Sequence, residues 1–97
     1  MSDWILLRRA VDDLDSIWDY TVREWGVEQA EAYLHGLRVG FDRVANGEVR
    51  GKAISGRHAK LLKYRVKSHF FIYEPGVKQM RIIRILHVQM DPDRHLS

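Results

Sequence analysis

The stretch "RRAVDDLDSIWDYTVREWGVEQAEAYL" (8–34) predicts a helical hairpin. Its apolar residues recur at spacings of three and four, which is the repeat of a helix with one buried face. The first stripe consists of Val11, Leu14, Trp18, Thr21 and Trp25, and aspartates fill the other faces. Gly26 is expected to end this helix. A second stripe follows at once and consists of Ala30, Tyr33, Leu34, Leu37, Phe41 and Val44. Two helices joined by almost no linker must fold back on each other.

Outside the hairpin the apolar residues follow the pattern of strands. "WILLRR" (4–9) predicts a first strand, and "LLKYRVK" (61–67) alternates between apolar and basic residues, as a half-buried strand does. "HFFIYE" (69–74) and "QMRIIRILHV" (79–88) are apolar on both sides, which is typical of strands inside a sheet. The glycine-containing segment 47–60 has no clear period and is expected to be a mobile loop.

These elements predict one α+β domain over residues 1–97. Its small, mostly antiparallel sheet of three or four strands packs against the two-helix hairpin, in the order β-α-α-β-β-β. Strict alternation along the last strand places His87 and Arg81 on one face. It places Arg84 on the opposite face. In so apolar a strand, the arginines are expected to pair with carboxylates of this chain or of a partner.

The charge is divided between the two halves of the chain. Residues 1–48 contain five Lys or Arg and ten Asp or Glu, whereas residues 49–97 contain eleven and three. A basic half attracts polyanions or acidic protein segments, unless the acidic half neutralises it within the fold. The sequence has no cysteine, which excludes a disulfide framework and a thiolate zinc site. The histidines lack ligand spacing, so neither a metal nor another cofactor is expected.

Three motifs resemble those of the ParE toxins in the RelE/ParE superfamily of bacterial toxin–antitoxin pairs. They are the stretch 8–34 quoted above, "SHFFIYE" (68–74) and "IRILHVQMDPDRHL" (83–96). The resemblance covers nearly the whole chain. It implies a toxin that poisons DNA gyrase by protein–protein binding, without a catalytic step, and that is silenced by a ParD-like antitoxin. Such an antitoxin is typically a dimeric ribbon–helix–helix DNA-binding protein, so any DNA contact of the toxin would be indirect.

The resemblance also suggests two surfaces, which we state as hypotheses. The expected gyrase-binding residues are Arg81, Arg84, His87, Met90, Asp91, Arg94 and Leu96. The expected antitoxin-binding residues are Leu14, Trp18, Trp25, Leu37, Phe41, Lys63 and Arg65. The aromatic residues of the hairpin are nevertheless expected to serve mainly in the core, because the stripe spacing already explains Trp18 and Trp25.

The main alternative is a ribosome-dependent messenger RNA endoribonuclease of the RelE type. RNA cleavage needs a base, an acid and cations for the phosphorane charge. His69, His87, Tyr73 and several strand cations could supply them, but the tail "VQMDPDRHLS" (88–97) has two aspartates where phosphate would approach. His87 is therefore expected to be a structural residue at the end of a core strand. A direct nucleic-acid binder is disfavoured because "HFFIYE" suits burial better than base stacking.

The N-terminus indicates a cytoplasmic protein. Its apolar run is about four residues long, much shorter than a signal-peptide core or a membrane span. We therefore expect a cytoplasmic protein that forms a hetero-oligomer with its antitoxin and makes no membrane contact.

Overall fold

The computed structural model describes residues 3–54, 56–58, 60–76 and 78–96. In chain order its elements are β1 (Trp4–Leu6), α1 (Arg8–Trp25), α2 (Val27–Ala45), β2 (Lys52–Ala53), a 3-10 turn (Gly56–His58), β3 (Leu62–Val66), β4 (His69–Glu74), β5 (Met80–His87) and α3 (Pro92–Leu96). The α+β class and the predicted order of the main elements are confirmed. The short strand β2 and the terminal helix α3 are additional.

The strands form one five-stranded sheet with the order β1-β5-β4-β3-β2. β1 pairs with β5 in parallel, and the other pairs are antiparallel. The two strands that are apolar on both sides, β4 and β5, lie inside the sheet as predicted. The segment expected to be a mobile loop contains β2 and the 3-10 turn in its described part, and Ile54 is buried there.

The helical hairpin turns at Gly26, which has a φ of 92°. This left-handed conformation strains a residue with a Cβ, so glycine is needed where α1 ends and α2 begins. The stripe of α2 is confirmed. In α1 the buried residues are Ala10, Ile17 and Thr21, whereas Trp25 is 70% exposed.

The predicted core position of Trp25 was therefore wrong. Apolar residues occur on two adjacent faces of α1, and periodicity could not decide which one packs against the sheet. In the described part of the chain, no helix has the length and apolar character needed to cross a membrane.

The sheet has two apolar faces, each with its own cluster. The helix-side face packs against both helices through a cluster that includes Leu37, Phe41, Phe71, Tyr73, Ile82 and Ile85. The outer face carries a smaller cluster of Ile54, Phe70, Ile72 and Leu86, against which Leu61, Val88 and Leu96 pack. The outer face is thus covered by the segment around β2 and by α3. Burial on both faces explains why the central strands are continuously apolar.

A β-bulge changes which side chains of β5 share a face. The register of β4 against β5 shifts between Ile72 and Tyr73, where β5 has one extra residue. Beyond the bulge every side chain of β5 is moved to the opposite face from the one that strict alternation predicts. Arg81 and Arg84 consequently both lie on the outer face, and His87 lies on the helix-side face. The expectation that His87 shares a face with Arg81 was wrong for this reason.

Candidate functional site

Arg84 forms a two-pronged ion pair with Asp13 of α1. Its Nε donates to Asp13 Oδ2 at 2.8 Å, and its Nη2 donates to Asp13 Oδ1 at 2.9 Å. Asp13 Oδ2 also accepts the backbone N–H of Ile85 at 2.8 Å. β1 pairs with β5 only as far as Ile82, so Asp13 caps the edge of β5 that β1 leaves open. Arg84 was expected to pair with a carboxylate, and the structure assigns that carboxylate to this chain.

The pair is largely shielded from water, with side-chain exposures of 11% for Arg84 and 15% for Asp13. The hydrogen bonds from Arg84 to Asp13 raise the pKa of the guanidinium above its ordinary value, and burial opposes this effect. Charge-assisted bonds with this two-pronged geometry are among the strongest between side chains. Arg84 is therefore committed to an internal contact.

Arg84 also holds the C-terminal helix. Its Nη1 donates to the backbone carbonyl of His95 at 2.8 Å, and Leu96 packs on the outer-face cluster. One guanidinium thus joins α1, β5 and α3. Of the residues expected to bind gyrase, Arg84 is a positioning residue for the tail, since its donors are directed inwards.

The other residues expected to bind gyrase are dispersed. Arg81 is exposed but forms an ion pair with Glu74 on the outer face. Met90 follows the end of β5 and is 44% exposed, and Asp91 and Arg94 are exposed beside it in the tail. His87 and Leu96 are half-buried. The structure therefore brings Met90, Asp91 and Arg94 into one exposed segment and leaves Arg81 apart.

A cluster of Tyr33, His69 and His87 lies where α2 meets the ends of β4 and β5. The Tyr33 hydroxyl accepts the N–H of Ser68 at 3.2 Å and lies 2.6 Å from His69 Nδ1. The direction of the Tyr33–His69 hydrogen bond depends on the tautomer of His69, because a hydroxyl can both donate and accept. His87 Nδ1 accepts the N–H of Gln89 at 3.2 Å. When neutral, the His87 imidazole consequently carries its proton on Nε2.

The environment of His69 favours its neutral form. Burial lowers the pKa of His69 most, the neighbouring His87 lowers it further, and Asp13 opposes the shift. The two imidazole rings lie 5.4 Å apart and nearly perpendicular. Both rings are held by defined hydrogen bonds to the fold, which is the structural role expected for His87. The described residues contain no group of three or more potential metal ligands.

The residues expected to bind the antitoxin separate into two groups. Leu37 and Phe41 are 0% and 2% exposed and lie in the helix-side cluster. They cannot contact a partner from there, so their assignment to a binding surface was wrong. Leu14 and Trp18 are half-buried. Trp25 is exposed at the end of α1, and Val27 is 51% exposed just across the turn.

Lys63 and Arg65 line a basic groove on the outer face at the β3 edge. The groove has a volume of about 410 Å³, and Arg50 and Lys52 also line it. The Lys63 ammonium lies 5.3 Å from the centre of the Phe70 ring, a cation–π distance. Four cations and no carboxylate are among the described residues that line the groove. We call this surface, formed by Arg50, Lys52, Lys63 and Arg65, the basic groove.

Sequence reasoning missed Asp13 as a site residue. Asp13 was assigned to the solvent-facing side of a helix that has aspartates at 12, 13 and 15. Once Ala10 and Ile17 are known to be buried, Asp13 lies on the same face, three residues after one and four before the other. That spacing was present in the sequence, but the Trp-containing stripe obscured it.

Comparison with known proteins gives consistent matches over the whole chain. A family model described as "ParE toxin of type II toxin-antitoxin system, parDE" matches residues 5–92. A protein named Toxin ParE1 from Caulobacter vibrioides is 36% identical over 97 residues, which is 100% of both chains. A protein of the same name from Mycobacterium tuberculosis is 36% identical over 96 residues, or 98% of each chain. Toxin ParE of Escherichia coli is 35% identical over 94% of this chain and 89% of its own.

A solved structure has the same fold. It is described as a chromosomal ParDE TA system from P. aeruginosa, and it superposes with a TM-score of 0.75. The match covers 92% of this chain and 98% of the other, at 20% sequence identity. At this level of identity, the similarity supports the fold described above.

Proposed function

Since this chain belongs to the ParE toxin family of type II toxin–antitoxin systems, we propose that it arrests growth by binding DNA gyrase and that a ParD-like ribbon–helix–helix antitoxin neutralises it. The family match over residues 5–92 is the observation that carries the proposal. The toxin acts in the cytoplasm, where gyrase is found, and it forms a hetero-oligomer with its antitoxin.

The distribution of side chains across the sheet supports binding over RNA cleavage. His69 and His87 lie on the helix-side face, where His69 contacts Tyr33 of α2. Lys63, Arg65 and Arg81 lie on the outer face, because their cross-strand partners Ile72, Phe70 and Glu74 lie there. Arg84 is occupied by Asp13. An acid–base pair and phosphate-binding cations must meet at one phosphate. Here the sheet separates the two histidines from Lys63, Arg65 and Arg81.

The tail is the proposed gyrase-binding segment. Arg84 and Leu96 fix α3 to the sheet, and this arrangement presents Met90, Asp91 and Arg94 to solvent. Met90 and Arg94 are of residue types that are enriched in protein interfaces. The gyrase contact is thus proposed at the turn after β5 and the exposed side of α3.

Purified toxin incubated with gyrase, ATP and plasmid tests this proposal. We expect linear DNA to accumulate after detergent and protease treatment, because a trapped cleavage complex leaves both strands cut. The Met90→Ala and Arg94→Ala variants should trap less, and Arg23→Ala, an exposed charge at the far end of α1, should trap as the wild type does. Supercoiling at the normal rate with no linear product would refute the gyrase target.

A second assay tests the nuclease alternative. Messenger RNA supplied to translating ribosomes should stay full-length in the presence of the toxin. Transcripts that the wild-type toxin cuts within codons, and that stay intact with the His87→Gln variant, would instead establish a catalytic toxin. The assay uses the same protein preparation as the gyrase experiment, so activity in one and inactivity in the other distinguishes the two targets.

A further inference from the structure

We propose that the open edge of β3 accepts a short, extended, acidic segment of the antitoxin as an added strand, and that the basic groove binds its carboxylates. This inference rests on the proposed function, because it identifies how one part of the antitoxin is held. It concerns the edge of the sheet, which is separate from the apolar helix surface at Trp25.

The first observation is that β2 covers only part of its neighbour. β2 has two residues, and they pair with Leu62 and Lys63 of the five-residue strand β3. The chain before β2 leaves the sheet at Gly51, whose N–H donates to the hydroxyl of Tyr73 at 2.8 Å, and Val49 packs in the helix-side cluster. No described strand pairs with Tyr64–Val66 on this side of β3.

The second observation is the direction of the backbone groups along β3. Val66 pairs with His69 across the two-residue turn, and such a closing pair exchanges both backbone hydrogen bonds. By alternation, the N–H and C=O groups of Tyr64 also point towards β4, whereas those of Lys63 and Arg65 point to the other edge. Lys63 meets β2 there. Arg65 therefore presents one donor and one acceptor at an edge that no described strand covers.

The third observation is an unfavourable arrangement of like charges. Lys52 and Lys63 are directly opposite each other in the β2–β3 pairing, and Arg65 follows two residues later on the same face. Like charges in opposed positions destabilise a sheet. Lys63 also borders a smaller cavity that Asp91 and Asp93 line, but no carboxylate is among the described residues lining the basic groove. Anionic side chains of an added strand would relieve this repulsion.

These features favour a peptide over a nucleic-acid strand. An unpaired backbone edge matches the alternating N–H and C=O groups of another polypeptide. Single-stranded nucleic acid instead needs exposed aromatic rings on which bases stack. Phe70 is 5% exposed, and its face is occupied by Lys63. Tyr64 is turned to the helix-side face, where it packs against Phe71.

The test compares amide exchange in the free toxin and in its complex with the purified product of the adjacent reading frame, the proposed antitoxin. We expect the Arg65 amide to exchange more slowly in the complex, because an added strand would accept its hydrogen bond. Arg65→Pro removes that donor, and it should keep its fold because this N–H is not used in pairing with β4. Its affinity for the antitoxin should fall at least about tenfold.

Two further variants separate the backbone contribution from the charge. Arg65→Gln keeps the amide and should lose less affinity than Arg65→Pro, with a weaker dependence on salt. Arg8→Gln removes an exposed charge next to β1, at the opposite edge of the sheet from the basic groove, and should bind as the wild type does. Thermal melting of each variant verifies its fold, and the exchange measurement on the wild type decides the question if Arg65→Pro does not fold.

The outcomes distinguish this inference from the proposed function. A stable complex in which the Arg65 amide exchanges as in the free toxin overturns the added strand and leaves the toxin–antitoxin function intact. Failure to form any complex overturns both. Binding of an oligothymidylate that is lost in Arg65→Gln, together with an unprotected Arg65 amide in the antitoxin complex, would identify the groove as a nucleic-acid site.

Discussion

Asp13 and Arg84 are 71 positions apart in the chain, yet the two prongs of their ion pair are 2.8 and 2.9 Å long. The pair joins the first helix to the central sheet, and the third bond of the guanidinium, to the carbonyl of His95, extends the connection to the C-terminal helix. The position of the proposed gyrase-binding tail thus depends on an aspartate at the opposite end of the sequence.

The first prediction concerns this ion pair. Asp13→Asn leaves a shielded guanidinium without its counter-charge, so the free energy of unfolding should fall by about 2–4 kcal/mol. Urea denaturation measures the change. Asp12→Asn is the matched control, because Asp12 forms an exposed pair with Arg8, and its loss should cost less than about 0.5 kcal/mol.

A double variant examines the physical cause. In Asp13→Leu/Arg84→Met neither charge remains to be desolvated, so this protein should be more stable than Asp13→Asn. The tail should nevertheless show faster amide exchange than in the wild type, because the bond to His95 is lost. Equal stability of Asp13→Asn and Asp12→Asn would show that the pair contributes nothing beyond an ordinary surface contact.

The second prediction concerns the close packing of α2 on the sheet. A Cβ added at Gly40 would lie 2.8 Å from Val66 Cγ2 and 3.5 Å from the Phe71 ring. Gly40→Ala should therefore destabilise the protein by about 1–3 kcal/mol despite the better helix propensity of alanine. Gly36 has open space around it on the same helix, so Gly36→Ala should stabilise by about 0.5–1 kcal/mol. Thermal unfolding that moves in the same direction in both variants would contradict this account.

The third prediction concerns pH. The folded state lowers the pKa of His69 below its ordinary value of about 6.5, so the unfolded chain binds more protons as the solution is acidified. Stability should consequently fall as the pH decreases through about 6.5, and this contribution should level off once the pH is below the folded-state pKa. His69→Asn should reduce the slope of stability against pH between about pH 7.5 and 5.

The control for the pH prediction is His35→Asn, because His35 is exposed on α2. Its slope should equal that of the wild type. Urea midpoints at several pH values provide the comparison, and identical slopes for the two variants would exclude His69 as the source.

The fourth prediction separates core from contact among the aromatic residues of the hairpin. Trp25→Ala should weaken antitoxin binding by about 2 kcal/mol or more, with little change in stability, because an exposed tryptophan contributes chiefly to binding. Phe41→Ala should instead lower stability by about 3–5 kcal/mol, since Phe41 is fully packed. Calorimetric titration and urea denaturation give the two quantities. Tyr20→Ala, on a different face of α1 and 57% exposed, should alter neither.

Local patterns were sufficient for the order of elements and for most of the core. The three-and-four spacing identified both helices, Gly26 marked the turn between them, and alternation assigned Tyr64 and Val66 to the buried face of β3. These features depend on neighbours a few residues apart, so they can be read from a single sequence.

Other features depend on partners that are distant in the chain. The bulge near Ile72 reverses the facing of half of β5, and pairing with β4 determines it. The burial of Ile17 in place of Trp25 depends on how α1 is rotated against the sheet.

The amino-acid sequence determined the fold class, the helical hairpin and the apolar strands, because hydrophobic periodicity is local and is strong in these segments. Tertiary structure decided which residues remain available to partners. Arg84 is engaged by Asp13, and Arg65 lies at an open edge, although both are arginines in strands. The difference arises from packing between distant segments, and packing determines whether a charged group is satisfied within the fold or presented to another molecule.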